Sequence, residues 1–303
     1  MYVRIGGIEQ WIQFSENNPD NPILLYLHGG PGGTSVPVAA AWKPWEEHFT
    51  VVHWDQRGAG RTFAKNDESG CGRLSVDRMV QDGVEVAEFL IETLQKPKIL
   101  LVGHSWGSAL AVYLLKRRPE LFSAFVGTGQ LVNMRQNEEI NYERQWDQAE
   151  RIGNQEALEA LRTIGSPPYS DWASFKILRA WADRLAEGDG DSVQPRPTPM
   201  APDFTPDEVP TMLRGAEFSR RELLGELGSI DLPSLGVSFE VPIFFFHGTC
   251  DQQTPIELAD RYFATILAPH KEFVRFEGCH HFVVMNRPEA FSRELVVRVR
   301  PLL

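Results

Sequence analysis

Ser105 stands between Gly103 and Gly107 in LVGHSWGSAL, directly after the apolar run KILLVG (98–103) and before SALAVYLLKRR (108–118). A serine hydroxyl is a weak nucleophile near neutral pH and needs a base within hydrogen-bond reach, itself oriented by a third group. Gly-x-Ser-x-Gly by itself is also an ordinary turn. Here its flanks say more: a short β-branched and leucine-rich run, a turn, then helix-forming residues with a basic last turn. In that context the glycines leave room for a strained turn that holds the serine Oγ clear of the backbone. The N-terminus of the following helix offers free N–H groups to developing negative charge.

The partners of Ser105 must emerge at the same sheet edge. Asp251 follows the strongly apolar run PIFFFHG (242–248) by a few residues, and His280 and His281 follow EFVRFEG (272–278) in the same way. Loop Asp and His residues are usually solvated polar groups. Placed after successive strand-like runs in the order Ser, Asp, His, they instead point to an acid-oriented base activating a serine, and either histidine satisfies the spacing. LYLHGGPGGTS (25–35) follows the first long apolar run and is rich in glycine, so its backbone N–H groups can approach a ligand closely. Gly30 N–H and Trp106 N–H are the expected oxyanion donors, one such donor being worth about 3 kcal/mol in the transition state.

These residues need a scaffold, and the apolar runs supply one. ILLYLH (23–28), TVVHW (50–54), ILLVG (99–103), FSAFVG (122–127), PIFFFHG and EFVRFEG alternate with helix-patterned segments such as LSVDRMVQDGVEVAEFLIETL (74–94) and PIELADRYFATIL (255–267). That rhythm predicts an α/β fold with a mainly parallel central sheet flanked by helices. It breaks between 133 and 235, where Trp, Arg, Glu and Pro accumulate. Helical segments are expected there at NYERQWDQAERI, QEALEALRTI and SFKILRAWADRLAE, followed by a Gly/Pro-rich stretch over 188–210. The expected organisation is a core of residues 1–132 and 236–303 with an inserted helical cap over 133–235.

Composition narrows the function classes. A chain of 303 residues, 42% hydrophobic, can bury a large core, and its net charge of −11 with scattered basic residues argues against nucleic acid. Three cysteines far apart in sequence suit a reducing compartment rather than a disulfide scaffold. MYVRIGGIEQWIQF has no apolar leader region, and no stretch approaches the ~20 apolar residues of a membrane span, so a soluble, cytoplasmic protein without membrane association is expected. Cys279, His280, His281 and His247 lack metal-ligand spacing, and no nucleotide-binding glycine motif occurs, so neither a metal nor another cofactor is expected. A serine at the elbow speaks against an aspartate nucleophile, and the intact set of groups speaks against a silent receptor.

HGGPGG (28–33), DQRGAGRT (55–62), GHSWGS (103–108), HGTCDQQTP (247–255) and HHFVVMNRPEAF (280–291) together resemble the proline iminopeptidase family of α/β-hydrolases, serine aminopeptidases that release N-terminal residues, often proline. The resemblance covers roughly residues 20–130 and 240–300. It implies the α/β-hydrolase fold, with Ser105 as nucleophile, Asp251 as orienting acid and His281 as base, because the family's base lies seven residues before the Pro of a Pro-Glu pair, here Pro288. It also implies hydrolysis through an acyl-enzyme without a cofactor, and a structural ion pair for Asp55 and Arg57. In the family, cap glutamates hold the substrate's free amine. MLRGAEFSRRELLGEL (212–227) offers Glu217, Glu222 and Glu226 in a different pattern, one that also fits a solvated helix face. Gly29, Trp146, Trp172 and Trp181 are further candidates for the substrate pocket. The expected substrate is a small peptide or amide, with small apolar acyl esters as the alternative; the sequence leaves the oligomeric state open.

Overall fold

The computed structural model describes residues 1–14, 18–186, 194–195, 197 and 200–303. Its strands are β1 (Tyr2–Ile5), β2 (Ile8–Phe14), β3 (Ile23–Leu27), β4 (Thr50–Asp55), β5 (Ile99–His104), β6 (Phe122–Thr128), β7 (Ile243–Gly248) and β8 (Lys271–Phe276). The helices are α1 (Gly60–Cys71), α2 (Val76–Leu94), α3 (Trp106–Arg117), α4 (Met134–Ile152), α5 (Gln155–Ile164), α6 (Trp172–Leu185), α7 (Val209–Leu227), α8 (Ile256–Thr265), α9 (Val283–Asn286) and α10 (Pro288–Glu294). One sheet runs in the order β1-β2-β4-β3-β5-β6-β7-β8, antiparallel at β1 and β2 and parallel from β4 to β8.

Every residue of β3, β4, β5 and β7 is buried, as a parallel strand covered on both faces must be. Successive residues feed opposite faces: Leu25, Leu27 and Leu101 pack on one side with α3, while Leu24, Tyr26 and Leu100 pack on the other with Trp42, Trp45 and Phe291. The six apolar runs read from the sequence are the six strands β3 to β8. The N-terminal hairpin was not anticipated. Its signal is nonetheless local: Gly6 and Gly7, both at positive φ, join Ile5 to its cross-strand partner Ile8.

Chain order carries β4 to one side of β3 and β5 to the other, so the connections diverge between β3 and β5. The crevice at the carboxyl ends of such strands is where an open α/β sheet binds its ligands. Between β6 and β7 the chain forms α4 to α7. Asn133, Asn154 and Asp171 cap the first three of these helices, accepting from Gln136, Ala157 and Ser174 N–H. α4 begins seven residues and α6 two residues before the segments anticipated for them, at those caps. In the expected Gly/Pro-rich stretch over 188–210, residues 188–193, 196, 198 and 199 lie outside the described residues, as does residue 187 at the end of the expected third helical segment, while Pro206–Glu208 forms a 3₁₀ turn and Val209 already begins α7.

One expectation fails in the core. Arg57 pairs with Asp82, not Asp55: its Nε lies 2.7 Å from Oδ2 and its Nη2 3.1 Å from Oδ1, while Nη1 and Nη2 also donate to Cys71 and Gly6 carbonyls. Asp55 instead accepts from the Thr34 hydroxyl and from Arg61 N–H. Asp82 is fully buried on α2, so the pair ties the hairpin, the end of α1 and α2 together. Asp82→Ala leaves a buried guanidinium without its counter-charge and is expected to cost about 3–5 kcal/mol of stability. Urea unfolding measures it, and a loss below about 1 kcal/mol would remove the pair from the account of the fold.

Candidate active site

Ser105 follows β5 and precedes α3 with φ 55° and ψ −121°, a left-handed conformation that a side chain rarely adopts and that marks a strained turn. The sequence permits it because its two neighbouring glycines are pressed against backbone. A Cβ on Gly103 would lie 2.5 Å from Gly107 O, and a Cβ on Gly107 would fall on Leu27 O at the end of β3. Ser105 N–H donates to Thr128 O on β6 at 3.0 Å, and the Ser108 hydroxyl donates to Ser105 O while accepting from Leu131 N–H. The turn is thus hydrogen-bonded to β6 and the segment after it and packed closely against the end of β3.

Asp251 sits on the loop after β7 and His281 on the loop after β8, both buried. His281 Nδ1 lies 2.8 Å from Asp251 Oδ2, and Asp251 also accepts from Gln253 N–H, Thr254 N–H and the Thr254 hydroxyl, each at 2.8 Å. Burial by itself would raise the Asp251 carboxyl. The adjacent His281 charge and hydrogen bond, helped by His247 and Thr254 N–H, outweigh it and hold the carboxyl well below the usual carboxylate range. His247 accepts from Gln130 N–H on Nδ1 and so donates from Nε2 to Thr254 O, which braces the same loop. His104 Nε2 donates to the His281 carbonyl, and burial, with the His281 charge, pushes its own pKa down to about 3, so it stays neutral. His280 is buried beside the pair, and its Nδ1 has no hydrogen-bond partner among the described residues.

The loop after β3 closes the other side. Gly29 comes so near the elbow that a Cβ there would be 3.2 Å from Ser105 Cβ, and Gly30 has φ 128°. The turn's own hydrogen bond runs from Gly33 N–H to Gly29 O. Among the described residues, neither Gly30 N–H nor Trp106 N–H takes part in the loop hydrogen bonds around the serine. The Gln56 side chain connects this loop to the elbow. Gln56 Nε2 donates to His28 O at 3.2 Å, and its Oε1 accepts from the Trp106 indole N–H at 2.9 Å. Gln56 N–H donates to His28 Nε2, which places the His28 proton on Nδ1, facing Gly29 O at 2.9 Å.

Ser105, His281, Gly29, Gly30 and Trp106 all line one cavity of about 460 Å³, closed above by α6 and α7. Apart from Trp172, the substrate residues expected from the inserted helices are placed elsewhere. Trp181 and Trp146 pack with Ala149, Leu158 and Leu185 into a small core among α4, α5 and α6, because their helices must bury a face against one another. Trp172, the third tryptophan considered, does line the cavity, together with Phe175. Glu217 is solvent-exposed, Glu222 sits beside Arg221, and Glu226 accepts from Val76 N–H at the start of α2; none of the three lines the cavity. The charged side chains that do are Lys176, Arg179 and Arg220. Sequence reasoning passed over these, and Gln56 too, since a cation on an amphipathic helix carries no local sign of which face it will take. Among the described residues no group of three or more His, Cys, Asp or Glu side chains is arranged to hold a metal ion.

The chain matches the family model described as the alpha/beta hydrolase fold over residues 22–288. It is 30% identical over 297 residues to the probable aminopeptidase YbaC of Bacillus subtilis (strain 168), covering 96% of this chain and 93% of that protein. It is 33% identical to the proline iminopeptidase of Neisseria gonorrhoeae over 129 residues, only 42% of this chain and 39% of that protein. Among solved structures, the proline iminopeptidase of Mycobacterium smegmatis is similar in fold, with a TM-score of 0.69 over 100% of this chain and 98% of that one at 21% identity.

Gln56 touches no cavity atom that could react, so its role is positioning. Gln56→Leu is expected to lower kcat by about tenfold with KM changed little, since it loosens the loop and the elbow relative to each other. Steady-state kinetics on any substrate that is turned over measures this, and an unchanged kcat would show that packing alone holds the two segments in place.

Proposed function

The chain belongs to the α/β-hydrolase fold family, and from that premise we propose that it is a serine hydrolase, aminopeptidase-like, that cleaves small amides or peptides through an acyl-enzyme. The observation that carries this reading is the pairing of a strained, cavity-facing Ser105 with a buried His281–Asp251 hydrogen bond of 2.8 Å opening on the same cavity. Ser105 Oγ attacks the substrate carbonyl as His281 takes its proton, and Asp251 holds the imidazole in orientation and stabilises its charge. Gly30 N–H and Trp106 N–H receive the oxyanion. His281 returns the proton to the leaving group, and water, activated by the same imidazole, releases the acyl group. No cofactor enters the scheme. Residues 133–235 act as a cap over a core of 1–132 and 236–303, excluding bulk water and admitting small substrates.

Peptidase specificity rests on the names of the relatives, chiefly the probable aminopeptidase that matches almost the whole chain. One feature of the cavity favours esters of small apolar acids as a second reading: it presents Trp172, Phe175, Leu227 and Met285 but, among the described residues, no carboxylate to hold a free amine.

L-prolyl and other L-aminoacyl 4-nitroanilides, an amine-blocked anilide and short acyl esters separate the two readings. Cleavage that requires the free amine supports the aminopeptidase; ester cleavage indifferent to the amine supports the esterase. On whichever substrate is turned over, Ser105→Ala and His281→Ala should each lower kcat by about 10⁴-fold or more, and Asp251→Asn by about 10⁴-fold. His280→Ala should have a mild effect. Retained turnover in Ser105→Ala, in a chain whose circular dichroism is unchanged, removes Ser105 from the mechanism, and a reversal of the two histidine variants makes His280 the base.

A further inference from the structure

The cavity has the wrong sign for its chain. The protein carries 41 acidic against 30 basic residues, yet the charged side chains lining the cavity are Lys176, Arg179 and Arg220, with no Asp or Glu among the described residues. Arg179 is accounted for internally. Its Nη2 lies 2.6 Å from Glu138 Oε1, and its Nη1 donates to Gln253 O, clamping α6 to α4 and to the loop that carries Asp251.

Arg220 has no such partner. Half-buried on α7, it is held by stacking: its Cζ lies 5.3 Å from the Trp172 ring centre, Trp172 stacks on Phe175 at 4.5 Å, and Arg179 Cζ lies 4.8 Å from the Phe175 ring centre. No carboxylate comes within ion-pair distance of it among the described residues. Exposed Glu217, one turn earlier on the same helix, acts on it only at a distance; burial dominates and lowers its pKa. Lys176 stands exposed at the rim, likewise outside any ion pair among the described residues. A partly desolvated guanidinium left unpaired costs free energy, and its planar fork matches a carboxylate in two parallel hydrogen bonds.

We infer that the substrate bears a carboxylate on the part lying beneath α6 and α7, where Arg220 receives it and Lys176 adds charge at the entrance. This rests on the serine-hydrolase reading and specifies its substrate class: a small ester or amide with a free carboxylate, a short peptide with a free C-terminus included. It accounts for a cavity that lacks an acidic anchor for an amine.

Two matched pairs test it. Monoethyl adipate against ethyl hexanoate places the carboxylate on the acyl side, and L-prolylglycine against L-prolylglycinamide places it on the leaving group. A fluorophosphonate, which reacts with an activated serine and carries no carboxylate, reports the nucleophile separately. The expected result is labelling of Ser105, a kcat/KM at least about tenfold higher for the anionic member of one pair, and a fall in that ratio of about tenfold or more in Arg220→Gln, with partial recovery in Arg220→Lys. The pair that shows the preference identifies which side of the scissile bond faces α7. A labelled enzyme that prefers the neutral members, or an anionic preference untouched by Arg220→Gln, overturns the inference and leaves the serine reading standing. A folded chain that takes no fluorophosphonate and cleaves none of the four removes both.

Discussion

The backbone of Gly107 lies against the last carbonyls of β3, and the rest of the site depends on that contact. It allows α3 to start immediately behind Ser105, forces the serine into its positive-φ turn, and brings the loop after β3 close enough for Gly29 to approach the Ser105 side chain. Any side chain at Gly103 or Gly107 would push α3 away from the sheet. The strain in the turn is sustained because β3, buried throughout, and β6, buried except at Ser123, flank β5 and leave the elbow no room to relax.

The same sheet positions Asp251 and His281. β7 and β8 run parallel to β5 and end at the same edge, so the loops following them converge without any long-range search by the side chains. Once converged, Asp251 is sealed from water, and its charge is tolerable only because three donors from Gln253 and Thr254 and the His281 ring surround it. The neutral histidines around it, His104 and His247, serve as rigid hydrogen-bonding struts. Burial lowers the pKa of both, to about 3 for His104, and the His247 Nδ1 accepts from Gln130 N–H, so they brace the loops as neutral rings.

Above this edge the inserted helices divide their residues between two tasks. Trp181 and its neighbours give α4, α5 and α6 a core of their own, while the opposite faces of α6 and α7 present aromatic rings and cations to the cavity. The glutamates on α7 point to solvent or to α2, so none of them contributes to the charge of the cavity. The charged side chains on the inner face are cationic, opposite in sign to the chain as a whole.

Much of this was legible before any coordinates. Apolar runs bounded by turn residues located β3 to β8, since a strand buried on both faces has to be apolar throughout, and the order of Ser105, Asp251 and His281 after their strands followed from the motif and the family resemblance. The hairpin of β1 and β2 was equally local, written in Gly6 and Gly7. What only the tertiary structure decided concerns groups that meet across large sequence separations. Arg57 finds Asp82 rather than Asp55, Gln56 joins His28 to Trp106, Trp172 faces the cavity while Trp146 and Trp181 do not, and Arg220 turns inward while Glu217 turns out. Local sequence records each residue's polarity and period. The partner of a polar side chain, and the face a helix buries, are set by the docking of elements far apart in the chain, and that docking is decided by the packing of the whole.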